Sequence, residues 1–122
     1  MLAAAGHLRV DRWIAKQDSQ IAIVPIGYAD GVHRLLSNKA KVIIKNQMVP
    51  IIGTICMDYL MVDLTGLDKS VKIEKNDEVV LLGSSEDQKL FIGANDQAKH
   101  AQTITWEILT SIGIRVPRVV SL

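Results

Sequence analysis

Ile21-Ala22-Ile23-Val24-Pro25-Ile26-Gly27-Tyr28-Ala29-Asp30-Gly31 passes from a short β-branched run into a loop bracketed by glycines. The first four residues favour a strand, and Pro25 stops it because proline cannot donate to a ladder. A second run, Gly53-Thr54-Ile55-Cys56-Met57-Asp58, has the same form. In both, turn-forming residues stand beside a polar group at the end of an apolar stretch. A strand hands a side chain, or a bare backbone amide, to a site in this way.

The flanking segments are also strand-like. Val42-Ile43-Ile44 and Val49-Pro50-Ile51-Ile52 enclose Lys45-Asn46-Gln47-Met48, which predicts a hairpin. Pro50 predicts an edge position for its strand. Leu60-Met61-Val62-Asp63-Leu64 alternates and ends at Thr65-Gly66. Glu78-Val79-Val80-Leu81-Leu82 carries an unbroken apolar run, 79–82, before Gly83, which predicts a strand buried on both faces. Leu90-Phe91-Ile92 follows a polar loop.

Helix signals are confined to the last third. Asn95 to Ala101 is weakly helical, and Thr103 is a candidate N-cap for a helix running to about Ile112. Ile104, Ile108 and Ile112 are spaced by four and share one face. Gly113 predicts a left-handed stop. The fold class expected is mainly β: a compact antiparallel barrel-like domain with one or two short helices near the C-terminus.

The chain has 122 residues, 48% of them hydrophobic and 22% charged, with a formal net charge of +1. This is the composition of one globular domain. Lys39, Lys41 and Lys45 lie close together without interleaved aromatics, so a solvated strand face is expected and nucleic acid is not. No apolar run is long enough to span a membrane, and Leu2 to Ala5 is too short for a signal-peptide core. Cys56 is the single cysteine, which suits a cytoplasmic location. His7, His33 and His100 lack metal-ligand spacing, so no metal site is expected.

Five segments in register resemble the C-terminal domain of alanine racemases, which are pyridoxal-phosphate enzymes. They are the Gly-Tyr-Ala-Asp-Gly loop at 27–31, Cys56-Met57-Asp58, Asp77 to Gly83, Thr103 to Glu107 and Arg115-Val116-Pro117-Arg118. The resemblance covers 13–122 and leaves 1–12 as a non-matching segment. It implies a homo-oligomer in which each subunit has a (β/α)8 barrel carrying pyridoxal phosphate on a lysine. The C-terminal domain of one subunit then roofs the barrel mouth of the other. Two bases on opposite faces of the substrate interconvert L- and D-alanine for cell-wall precursors. One is the barrel lysine, and the other is a tyrosine from the C-terminal domain.

Residue by residue, the resemblance implies that the Met57 backbone N–H contacts the substrate carboxylate. Tyr28 and Arg34 resemble channel residues; for each, an ordinary surface or loop role stands beside the functional one. Asp58 is expected to order the Met57 loop by accepting backbone bonds, and Cys56 to be a small buried group rather than a nucleophile. Trp106 stands where the family usually has a tyrosine that bonds the cofactor phosphate, and Thr54 stands where arginine is common. The family's catalytic tyrosine falls, without gaps, on Arg9, so no catalytic residue is assigned. No lysine matches the cofactor position, and no cofactor is expected on this chain alone. Tyr28, Ile55, Met57 and Trp106 are expected to form an exposed apolar surface.

The chain is therefore expected to be the C-terminal domain of an alanine racemase, silent in isolation. A stand-alone binding or interaction module and a remnant without activity are the alternatives. A truncated product, a disrupted gene or a divergent paralogue would each produce the altered first dozen residues.

Overall fold

Lys45 and Asn46 turn the chain back on itself in two residues, both at positive φ (49° and 60°). That geometry matches the right-handed twist of the strands it joins. In the computed structural model, which describes residues 2–5, 9, 10 and 12–121, this hairpin is part of a six-stranded antiparallel sheet. The non-matching segment's Gly6, His7, Leu8 and Asp11 lie outside the described residues.

The strands are β1 (Leu2–Ala5), β2 (Arg9–Val10), β3 (Trp13–Ile14), β4 (Ser19–Val24), β5 (Lys41–Ile44) and β6 (Gln47–Ile52). They continue with β7 (Leu60–Asp63), β8 (Val79–Val80), β9 (Gly83–Ser84) and β10 (Phe91–Ile92). Two helices follow, α1 (Ala94–Ala101) and α2 (Thr105–Thr110). The sheet order is β1-β4-β7-β6-β5-β8, and two small ladders join β2 to β3 and β9 to β10. Four inter-strand steps separate β4 from β8, roughly 19 Å in a flat sheet. Yet Ala22 and Val24 of β4, Ile44 of β5 and Val79 of β8 line one cavity of about 610 Å³. The sheet therefore curls into an open, barrel-like trough.

Alternation decides which face is inside. Val24, Val42, Ile44, Val49, Ile51, Leu60 and Val62 point into one core, with Leu36, Ala98, Ala101 and Ile108 covering it. Ile21 and Ile52, on the opposite face, pack with Trp13 and Met61. The Gln97 side chain of α1 is buried and donates to Leu81 O at 2.8 Å. This bond ties the helix to the segment after β8.

Several expectations are corrected. The run from Glu78 to Leu82 is not a strand buried on both faces: only Val79 and Val80 pair, and both are half-buried, because β8 is the sheet's edge. The edge expected at Pro50 is local: β6 is a central strand, but at Pro50 it pairs only with Lys41 of β5, since the ladder to β7 holds just Ile51 and Ile52. Thr103 is not the N-cap. α2 starts at Thr105 with Ile104 as N-cap, and Thr103 Oγ1 bonds Glu107 Oε1 instead. Gly113 is not left-handed, since the positive-φ glycines are Gly31, Gly53 and Gly83. A Cβ at Gly113 would come within 2.8 Å of Ala29 O, so close backbone approach is what requires glycine there.

The isoleucine stripe is likewise only partly a core feature. Ile108 is 1% exposed and Ile104 63%. We expect Ile108→Ala to cost about 2–5 kcal/mol of stability and Ile104→Ala to stay within about 0.5 kcal/mol. Urea unfolding of both variants measures this, and equal losses would contradict the burial described.

Candidate functional site

The two glycine-bearing runs meet face to face. Tyr28 N–H donates to Cys56 O and Ala29 N–H to Met57 O, both at 3.0 Å. Gly27 permits this contact, because a Cβ there would overlap both carbonyl groups. Tyr28–Asp30 forms one 3₁₀ turn, closed by Gly31 at φ 107°. A Cβ at Gly31 would lie 2.6 Å from Ser111 O, so the loop is also pressed against the end of α2. His33 Nε2 and Ser111 Oγ, 3.1 Å apart, and Gly113 N–H to Asp30 O, at 3.0 Å, complete that junction.

This packing orients an amide. The Cys56 carbonyl and the Met57 N–H belong to one planar trans peptide, so they point in opposite directions. With the carbonyl turned toward Tyr28, the Met57 N–H is turned away from the loop. Among the described residues it donates to no backbone or side-chain acceptor, and neither does the Asp58 N–H. Met57 is 52% exposed and Tyr28 45%. The arrangement offers an unpaired amide on an exposed loop, which is suited to holding an anionic group on a small molecule.

One arginine joins the two runs through their carboxylates. Arg115 Nε donates to Asp30 Oδ1 at 2.9 Å, and its terminal nitrogen donates to Asp58 Oδ1 at 2.8 Å. The other Asp30 oxygen accepts the Gly27 N–H at 3.1 Å. The Gly27 N–H and then Arg115 hold the Asp30 carboxyl below its ordinary value. Asp58 first, then Asp30, raise Arg115. Asp58 thus orders its loop through a guanidinium and not through backbone bonds.

The hydrogen bonds bring Tyr28 and Met57 together, but not Arg34 or Trp106. Arg34 is exposed in a second 3₁₀ turn, Arg34–Leu36, and its guanidinium has no hydrogen-bond partner among the described residues. Trp106 is 73% exposed on α2, a helix linked to the Tyr28 loop only through its C-terminal end. Ile55, expected on the apolar surface, is 1% exposed and belongs to the core. Thr54 is buried with its hydroxyl unpaired. Cys56 is partly buried, with its thiol 3.6 Å from Thr54 O, and the thiol raises the pKa of Tyr59. The described residues contain no group of three or more metal-ligating side chains, and no helix long and apolar enough to cross a membrane.

Two large cavities lined by described residues lie away from this site. The larger, about 1080 Å³, is lined by residues such as Gln17, Thr65, Lys69 and Lys72, and the smaller lies at the β4–β8 seam. The site is an open surface. Sequence reading missed Arg115 as its organiser. The available signal was an aspartate in each run and an arginine after the last helix.

Fold and site define a mainly β domain that presents two clamped loops on one open face. The chain belongs to the alanine racemase C-terminal domain family, whose model matches residues 10–120. It is similar to alanine racemases of Clostridium perfringens (54% identity over 85% of this chain) and Thermodesulfovibrio yellowstonii (45% over 87%). It spans 26% and 28% of those relatives' lengths, respectively. Among solved structures, the Streptomyces lavendulae alanine racemase superposes with a TM-score of 0.84 at 33% identity, covering 98% of this chain and 31% of that one. The Bartonella henselae enzyme, with covalently bound pyridoxal phosphate, gives 0.83 at 36%, covering 98% and 32%.

The Asp30 bonds set a pH dependence. Its lowered carboxylate contributes stability above the unfolded pKa of about 3.9, and that contribution is lost as pH falls through the native value. We expect Asp30 to titrate below 3.8. In Arg115→Gln its value should rise but stay below 3.8, because the Gly27 N–H remains. A carboxyl-detected NMR titration measures both, and an unmoved Asp30 in the variant would contradict the clamp.

Proposed function

We propose that this chain is the C-terminal domain of an alanine racemase and supplies the roof of an active site whose floor is a (β/α)8 barrel. The Met57 N–H takes the carboxylate of the amino acid. Tyr28 and Arg34 line the channel, and Trp106 stands toward the cofactor phosphate. The observation that carries the proposal is the unpaired Met57 amide, on an exposed residue whose loop is bonded to that of exposed Tyr28. Coverage of only about a third of the solved racemases supports the need for another domain. The whole enzyme is read as a cytoplasmic homodimer making D-alanine for peptidoglycan, with 13–122 as its β-domain.

Pyridoxal phosphate belongs to that whole enzyme. Among the described residues only Trp106 is assigned toward it, and one indole is not a sufficient site. Trp106 offers a single N–H donor on a side chain that is 73% exposed, and it lines neither large cavity. The isolated chain is therefore inactive in this reading.

Two fusions test the proposal. The first joins the barrel and tyrosine-bearing segment of the Clostridium perfringens racemase to 13–122. It should racemise alanine, and Tyr28→Phe should change kcat or KM by roughly tenfold while leaving folding intact. The second keeps 1–12 in place of the tyrosine-bearing segment. Arg9, always protonated, cannot act as the base, so racemisation should fall by roughly 10²–10⁴-fold. A first fusion that is folded and cofactor-loaded yet inactive would overturn the proposal.

A further inference from the structure

We propose that Arg115 is a positioning residue for carboxylate binding: it holds the Met57 amide in place and cancels the charge of Asp58 beside it. This rests on the role given to Met57 above.

Two separate observations support it. The first is geometric. The Cys56 and Met57 carbonyls are held by the amides of Tyr28 and Ala29 on the opposing loop. That contact persists only while the loops stay together, and their charged link is Asp30–Arg115–Asp58, at 2.9 and 2.8 Å. A guanidinium reaches both carboxylates because its donors are spread over a rigid planar fork; an ammonium is a single point. Arg118, three residues on, does different work: it donates to the carbonyls of Ile112, Gly113 and Val116 and so ties down the segment after α2.

The second observation is electrostatic. Asp58 adjoins the amide that would receive an anion, and its side chain is 60% exposed. Unpaired, it would repel an incoming carboxylate across a few ångströms. Paired with Arg115, it presents little net charge there. Asp30, only 10% exposed at its side chain, anchors the arginine from the other side. Removing Arg115 would leave two carboxylates flanking the Tyr28 and Met57 loops with no counter-charge in the clamp.

The test uses the active fusion and the 122-residue chain side by side. In the fusion, Arg115→Gln should raise KM for alanine by roughly tenfold to a hundredfold, the worth of one hydrogen bond to a charged group. Its kcat should stay within about threefold. Part of the KM rise should shrink with added salt, and Asp58→Asn in the same variant should recover that part. Arg115→Lys should fall between parent and glutamine. In the chain alone, hydrogen exchange at the Tyr28 and Ala29 amides should accelerate in Arg115→Gln, while Ile51, bonded to Ala40 O, keeps its protection. If the glutamine variant loses protection everywhere, Arg115→Lys decides, and parent-like KM in it overturns the inference. An unmoved KM in Arg115→Gln overturns it as well, whatever the exchange shows. An inactive unmodified fusion instead overturns the reading of Met57, and the inference with it.

Discussion

A peptide plane cannot turn its carbonyl without turning its amide. The candidate site is built on that constraint. Tyr28 N–H holds the Cys56 carbonyl, so the Met57 amide is turned away from that loop by covalent geometry and not by a contact of its own. Everything around it secures this one orientation. Gly27 removes the side chain that would separate the loops, Gly31 supplies the left-handed turn, and Gly113 lets the chain after α2 pass against Ala29. A methyl group at any of the three would need backbone to move.

The core explains why these loops can be held so closely. β4 and β7 are neighbours in the sheet, pairing Val24 with Leu60, and each motif loop leaves this pair at the same end. Leu36 and Ile108, both almost fully buried, fix the 3₁₀ turn and α2 against the same core. The site is therefore positioned by the ends of packed elements while its own side chains remain exposed.

Much of this could be read from residue order alone, wherever the controlling force was local. β-branched runs marked β4, β5 and β6, alternation marked β7, and the glycines marked both loops. Errors arose where the outcome depends on what lies next in space. An apolar run such as 79–82 reads the same at a sheet's centre or its edge. A glycine after a helix reads the same whether it is needed for φ or for close approach, and Gly113 is the second kind. Arg115 was quoted as part of a motif but not as the organiser, because its partners lie 85 and 57 residues away. Ion pairs carry no periodic signal that would announce them.

Those separations also order the events of folding. The turn at Lys45-Asn46 closes a loop of a few residues and so forms among the first contacts, while bridging Asp30 and Arg115 closes a loop more than an order of magnitude longer. During synthesis the two aspartates emerge long before the arginine that joins them. The sheet can be complete while the loops it carries are still unclamped. The pairing of the two loops is thus a late step in the maturing of the domain, because it waits for the segment that carries Arg115.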